Sequence, residues 1–236
     1  MSTIERSDPA SKPSRAKVEH LQGLEGLELL AALPRQFDPT KVVLACSFQK
    51  EESVLLDLLA RSGALQAGVR VFALDTGVLF EETYELWRSF ERTFDIEIEG
   101  FRGISLAEQA QRHGDALWAR DPVACCGLRK VAPLSRALEG LDAWITGVRR
   151  DQSPSRANAA TFEWDRGHDL WKANPLAGWT DKQVWAEIVA RELPYNPLHD
   201  RGYASIGCTH CTQPGAGRAG RWAGQDKTEC GIHVDG

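Results

Sequence analysis

No stretch of the 236-residue chain comes near the ~18 consecutive apolar residues that a membrane-spanning helix requires. The opening residues, MSTIERSDPASKPSRAK, put charges and prolines where a secretory leader needs an unbroken apolar run. Both absences point to a cytoplasmic protein with no membrane association. Positive charge is not in excess either: 28 Lys and Arg stand against 33 Asp and Glu, and no long basic run occurs. Phosphate neutralisation dominates nucleic-acid binding, so this composition argues against a dedicated nucleic-acid surface. No segment repeats at a fixed period. Cysteine is sparse: six in a chain this long make a poor disulfide framework, because cytosolic thiols stay reduced and such a chain buries a core without staples. The sequence leaves room for a homo-oligomer and says nothing more about assembly.

What the chain does have is alternation. Residues 1–17 are polar and proline-bearing and read as a flexible tail. From there, β-branched apolar runs at 41–48, 69–75, 96–99 and 143–148 read as strands. They alternate with amphipathic stretches at 51–61, 80–94, 105–113 and 125–138 that read as helices. Past Asp151 the pattern loosens into a loop, until a helix over 181–192 with Thr180 as its N-cap. This order predicts an α/β fold, a mostly parallel twisted sheet with helices on both faces. Residues 18–206 form the nucleotide-binding domain in this reading, and 207–236, rich in Gly, Arg and Thr, a loop-rich mobile C-terminal segment. Ligands of such sheets bind at the carboxyl ends of the strands, which points to the loops after Ser47, Asp75 and Thr146.

The cysteines are not scattered. Cys125 and Cys126 are adjacent, Cys208 and Cys211 form a CxxC pair, and Cys46 and Cys230 stand alone. The paired ones supply the four thiolates that a [4Fe–4S] cluster or a four-cysteine zinc site requires, and ligand count does not choose between the two. Spacing favours iron–sulfur, since adjacent cysteines on a helix point about 100° apart and suit a larger group met at different corners. On a helical reading Lys130 follows Cys126 by four residues and shares its face, which places an ammonium beside the cluster and an anionic ligand. Arg129 stands in the same relation to Cys125, where an ordinary solvated charge is an equal reading.

Cys230 lies in KTECGIH near the end of the chain, where packing does not explain a cysteine and a flexible segment can carry a thiol into and out of a pocket. Sulfur is well suited to attack an electrophilic sulfur, provided nearby cations or His233 hold the thiolate. Cys46, inside an apolar strand, reads as a small buried side chain with no chemistry. Arg149, Arg150, Arg156, Arg218, Arg221 and Lys227 crowd the same loops and the tail, and guanidinium forks suit phosphate or sulfate oxygens.

Seven ordered motifs then carry a resemblance: SFQKEES (47–53), LDTG (74–77), CCGLRKVAPL (125–134), TGVRRDQS (146–153), SIGCTHCT (205–212), GRW (220–222) and KTECGIH (227–233). Over about 42–233 the chain resembles the assimilatory adenylyl-sulfate (APS) reductases, relatives of the phosphoadenylyl-sulfate reductases and of the PP-loop ATP pyrophosphatases. The resemblance implies a [4Fe–4S] cluster on Cys125, Cys126, Cys208 and Cys211. It also implies that Cys230 attacks the sulfonyl sulfur of APS, that AMP leaves, and that thioredoxin or a glutaredoxin-like thiol donor releases sulfite from the Cys230 thiosulfonate. By the same resemblance Ser47, Leu74 and Thr76 line the nucleotide pocket, and Lys130, Arg218, Arg221 and His233 face the phosphosulfate. Tandem cysteines with a CxxC resemble APS users, although some relatives accept the 3′-phosphorylated form. One departure is plain: Phe48, Gln49 and Lys50 stand where PP-loop enzymes carry glycines, which disfavours wrapping the pyrophosphate of ATP. A cluster-bearing tRNA-thiolating enzyme would need those glycines and a basic RNA face. A zinc-stabilised nucleotide-binding module would leave Cys230 idle.

Overall fold

The computed structural model describes residues 12–233, so most of the expected N-terminal tail lies outside the described residues. Val18, where the domain is expected to begin, is fully buried. Six strands, β1 (Val42–Cys46), β2 (Arg70–Asp75), β3 (Ile98–Arg102), β4 (Ala143–Ile145), β5 (Phe162–Asp165) and β6 (Leu170–Ala173), form one sheet in the order β3-β2-β1-β4-β6-β5. All neighbours run parallel except the β5/β6 pair.

The period-2 alternation divides two cores between the faces. Val42, Leu44 and Cys46 of β1, with Val71 and Ala73 of β2 and Ala143 and Ile145 of β4, enter a larger core with the helices Gly26–Gln36, Lys50–Ser62, Glu81–Phe94 and Asp181–Ala190. Val43, Phe72 and Trp144 point the other way, against Leu134, Ala137 and Leu138 of the 132–138 region. Burying each such Leu, Val or Phe contributes roughly 1.5–3 kcal/mol, and helices on both faces exclude water from both sides of the central strands. The helix Lys50–Ser62 begins where Glu52 accepts the backbone N–H of Gln49 and ends at Gly63 in the left-handed conformation.

Three local expectations shift. Strand β3 starts at Ile98 and runs to Arg102, because Asp95 turns the chain left-handed and Ile96 N–H still bonds Glu91 at the end of the preceding helix. The helix expected over 125–138 begins at Pro122 and contains a wider π turn over Gly127–Val131. That turn breaks the simple four-residue relation between Cys126 and Lys130, and π turns recur at functional sites. The stretch after Asp151, read as loop, contains the β5/β6 hairpin; Trp164 and Trp171 meet edge to face across it. No periodicity marked so short a hairpin.

Parallel neighbours β2 and β4 flank β1, and the chain winds outward from it in opposite directions. The carboxyl ends of β1 and β4 therefore border the switch point, where open α/β sheets place their ligand crevice.

Candidate active site

A cavity of about 370 Å³ opens at that switch point. Its floor is Cys46 and Ser47 after β1, Leu74 at the end of β2, and Thr146 and Gly147 after β4. Its walls include Lys130, Arg156, Arg218, Arg221, Cys230 and His233. Thus Ser47, Leu74, Lys130, Arg218, Arg221 and His233, singled out from sequence, gather around one space with Cys230. Thr76 is placed elsewhere. It is buried beyond the cavity wall, and its Oγ1 accepts the thiol of Cys208 at 3.3 Å. The turn that puts it there is held by Asp75, which accepts Gly77 N–H at 2.8 Å, Tyr84 Oη–H at 2.7 Å and Arg102 Nε–H at 2.7 Å.

Side chains fill the loop after β1. Phe48 adopts a left-handed φ of 60° and stacks on Trp87 and Phe90. Lys50 pairs with Asp181 at 2.6 Å. Ser47 Oγ donates to Glu52 at 2.8 Å, so Glu52 sits where a bare loop would offer its amides, and a Cβ on Gly147 would collide with it. Burial first, then the neighbouring charge of Glu51, pushes Glu52 up to about 8.

The cationic wall divides into engaged and open groups. Arg149 is buried and committed to Glu51, Asp151 and Asp181, a structural knot rather than a ligand arm. Arg150 is exposed and donates to Ala159 O. Arg156, Arg218 and Arg221 each keep a buried Nε–H with no partner, and His233 a buried Nδ1. Arg221 also packs over the Trp222 ring at 4.5 Å, and Gly207 leaves room for its guanidinium. Burial holds His233, stacked on Trp144, well below its ordinary value, so it brings a neutral ring and not a charge that would hold a thiolate. Three guanidiniums lining one cavity are suited to an anion.

A second, smaller cavity adjoins the first and is lined by Cys125, Cys126, Cys208 and Cys211, with Arg129, Trp118, His210 and Trp222. Lys130 and Arg221 line both. Burial works against the ammonium of Lys130, yet Cys208, Cys230 and Cys126 hold it above its ordinary value. Arg129 is buried, not solvated, and its Nε and Nη2 have no partner; neither has Trp222 Nε1. His210 stacks flat on Trp118 at 4.0 Å. Among the described residues no three His, Cys, Asp or Glu side chains close in on a point as they would around a single metal ion. Four thiols around a shared space, with unpartnered N–H donors beside them, supply the donor set of a cysteine-bound metal group.

Sequence reasoning passed over Gln49, Glu52, Glu229 and Trp222. Gln49 and Glu52 were in view within SFQKEES, but two polar residues at a helix start do not announce what they bind. Glu229 is the neighbour of Cys230 and bonds Arg156 and Arg218.

A mostly parallel α/β sheet thus carries a cavity lined by cationic side chains at its switch point and a four-cysteine pocket beside it. The model of the phosphoadenosine phosphosulfate reductase domain matches residues 41–214. The adenosine 5′-phosphosulfate reductase of Salinibacter ruber is 44% identical over 87% of this chain and 88% of its own length. The phosphoadenosine 5′-phosphosulfate reductase of Gloeobacter violaceus is 43% identical over 97% and 98%. Among solved structures, the phosphoadenylyl-sulfate reductase of Candida auris in a phosphate complex superposes with a TM-score of 0.74 at 29% identity, covering 86% of this chain and 99% of that one. The chain belongs to the phosphoadenosine phosphosulfate reductase family.

Proposed function

We propose that this chain reduces adenylyl sulfate to sulfite and AMP, with Cys230 as the nucleophile and a thioredoxin or glutaredoxin-like dithiol as reductant. One observation carries the reading: Cys230 lines the same cavity as three guanidiniums with unpartnered buried N–H groups. The Cys230 thiolate attacks the sulfonyl sulfur, the bond from sulfur to the phosphate oxygen breaks, and AMP leaves with the electron pair. Lys130, Arg218 and Arg221 offset the charge that builds on the phosphate and sulfonate oxygens. A dithiol then attacks Cys230 Sγ and expels sulfite. Its second thiol resolves the mixed disulfide, so two electrons come from the reductant and Cys230 returns as thiolate. The domain over 18–206 binds the nucleotide in this reading, and the segment 207–236 brings the CxxC and Cys230 to it. A cytosolic setting, where dithiol reductants operate, fits.

Cys125, Cys126, Cys208 and Cys211 would hold a [4Fe–4S] cluster. When bound, the cluster supplies a covalent tie between the 125–126 helix and the 208–211 loop and a charged neighbour for Lys130. Arg129 and Trp222 line the same pocket and Thr76 accepts the Cys208 thiol, which supports a role for Thr76 beside the cysteines rather than at the nucleotide.

Substrate choice follows from the cation inventory. A 3′-phosphate adds about two charges that need partners of their own. Arg149 and Lys50 are bound to carboxylates and Arg150 is outside the cavity, which leaves Arg156, sharing Glu229 with Arg218, as the reserve a 3′-phosphate would have to draw on. Relatives carry both reductase names, so the 3′-phosphorylated substrate is the second reading. Sulfite release from the two nucleotides, measured side by side with thioredoxin, tests it: kcat/KM should favour APS. With APS and no reductant, a sulfonate adduct should form on the Cys230 peptide, and an adduct on Cys46 or turnover by Cys230→Ser would overturn the mechanism.

A further inference from the structure

The segment that bears Cys230 is held by few polar contacts of its own backbone. Among the described residues, no backbone-to-backbone hydrogen bond involves 226–233. Ile232 packs against the smaller core, Gly231 approaches Val131, His233 stacks on Trp144, and Lys227 lies over the Trp222 ring. The polar anchor of the segment is the Glu229 carboxylate. Its Oε2 accepts Arg156 Nη2 at 3.0 Å and Arg218 Nη2 at 2.9 Å, while its Oε1 accepts Ser155 Oγ at 3.2 Å and Ser153 Oγ at 3.4 Å. Arg218 also donates to the carbonyl of Thr228 at 3.1 Å.

We infer that Glu229 is the positioning residue that seats Cys230: its carboxylate latches the C-terminal segment onto Arg156, Arg218, Ser153 and Ser155 before any substrate arrives. The inference rests on the reading of Cys230 as the reacting thiol. The charge logic is direct. Arg156, Arg218, Arg221 and Lys130 line one cavity, and without Glu229 the first two would face each other with no counter-charge. Glu229 takes only the Nη2 ends of the two guanidiniums. While the latch is closed Cys230 stays among the residues that line the cavity, whereas delivery of Cys230 to a protein dithiol requires the latch to open. A charge-assisted clamp is strong enough to bias such an equilibrium and weak enough to open on each turnover.

The test is the rate at which iodoacetamide alkylates Cys230 in the full-length, anaerobically purified protein without nucleotide. Rates are normalised to those of the 226–233 peptide carrying the same substitution, which removes any direct effect on thiol reactivity. Glu229→Gln should raise the normalised rate by about tenfold, and Glu229→Asp should restore part of the protection. Ser153→Ala/Ser155→Ala, which removes neither a cavity-lining residue nor a charged group, should raise it by about threefold. In a single turnover, Glu229→Gln should slow adduct formation from APS while thioredoxin releases sulfite from the preformed adduct no more slowly than from wild type. Alkylation at the wild-type rate in Glu229→Gln overturns the latch. If that variant does not fold, the serine pair decides in the same way, a rise supporting the latch and a wild-type rate overturning it. Because alkylation is read without substrate, its failure is distinct from absence of sulfite release by wild type, which would overturn the proposed activity instead.

Discussion

Gln49 clasps the backbone of Ile206 with both ends of its side-chain amide: Ile206 N–H donates to Oε1 at 3.0 Å, and Nε2 donates back to the carbonyl of Ile206. The two residues are 157 apart in sequence. The clasp joins the loop after β1 to the segment that leads into Cys208, so the floor of the larger cavity and the cysteine pocket share a support. Gln49→Ala leaves the Ile206 N–H without this partner, at a cost of about 1–3 kcal/mol, while the Ile206 carbonyl keeps Arg221 Nη1 at 3.2 Å. Hydrogen exchange should quicken across 205–211 while the sheet core stays protected. Unchanged exchange in that segment would show that the clasp is dispensable.

Cys126→Ser and Cys208→Ser should each lose iron and acid-labile sulfide, and with them the tie between the 125–126 helix and the 208–211 loop. Cys230→Ser should retain both. Purified wild type should show a broad absorbance toward the blue; a colourless, zinc-loaded preparation would refute the cluster. Full iron and sulfide in Cys126→Ser would remove that residue from the ligand set.

Arg149 and Arg150 are adjacent and should behave as opposites. Arg149 is 2% exposed, and its loss strands Glu51 in the interior. Removing one partner of a buried pair costs about 3–5 kcal/mol, whereas truncation of an exposed arginine stays within about 0.5 kcal/mol. Urea unfolding of Arg149→Ala and Arg150→Ala should differ accordingly. Similar midpoints for the two would contradict the structural assignment of Arg149.

Glu52 gives a pH dependence with a definite sign. Burial and the charge of Glu51 raise it from the ordinary 4.5 to about 8, so between those values the folded state holds a proton that the unfolded state has released. Stability therefore falls as pH rises through that window, by at most about 1.4 kcal/mol per pH unit, and levels off above it. Glu52→Gln is neutral throughout. The stability of wild type relative to this variant, followed by urea midpoints, should decline from about pH 5.5 to about pH 8.5. A pH-independent difference would mean that Glu52 is ionised in the folded protein at neutral pH.

The parallel α/β architecture, the tandem cysteines with their CxxC partner and the isolated tail cysteine were legible in the sequence, because each rests on a local pattern. Alternation along β1 and β2 encodes which face a side chain enters, and cysteine spacing marks which thiols the fold gathers into one pocket. The arginines show what local pattern does not contain. Arg149, Arg150 and Arg156 look alike in the run from 149 to 156, yet one is a buried knot, one is a surface donor, and one holds Glu229. Their partners lie as far away as Glu51 and Glu229, and only chain closure decides which carboxylate reaches which guanidinium. Thr76 is a similar case: it follows the strand whose end was expected to meet the nucleotide, but the 208–211 loop docks on that turn and takes its hydroxyl. Sequence alone determined the long, periodic elements and the chemical inventory, though not the short β5/β6 hairpin. The tertiary structure decided the pairings, because the energy of a buried charge depends on its neighbours in space and not on its neighbours in the chain.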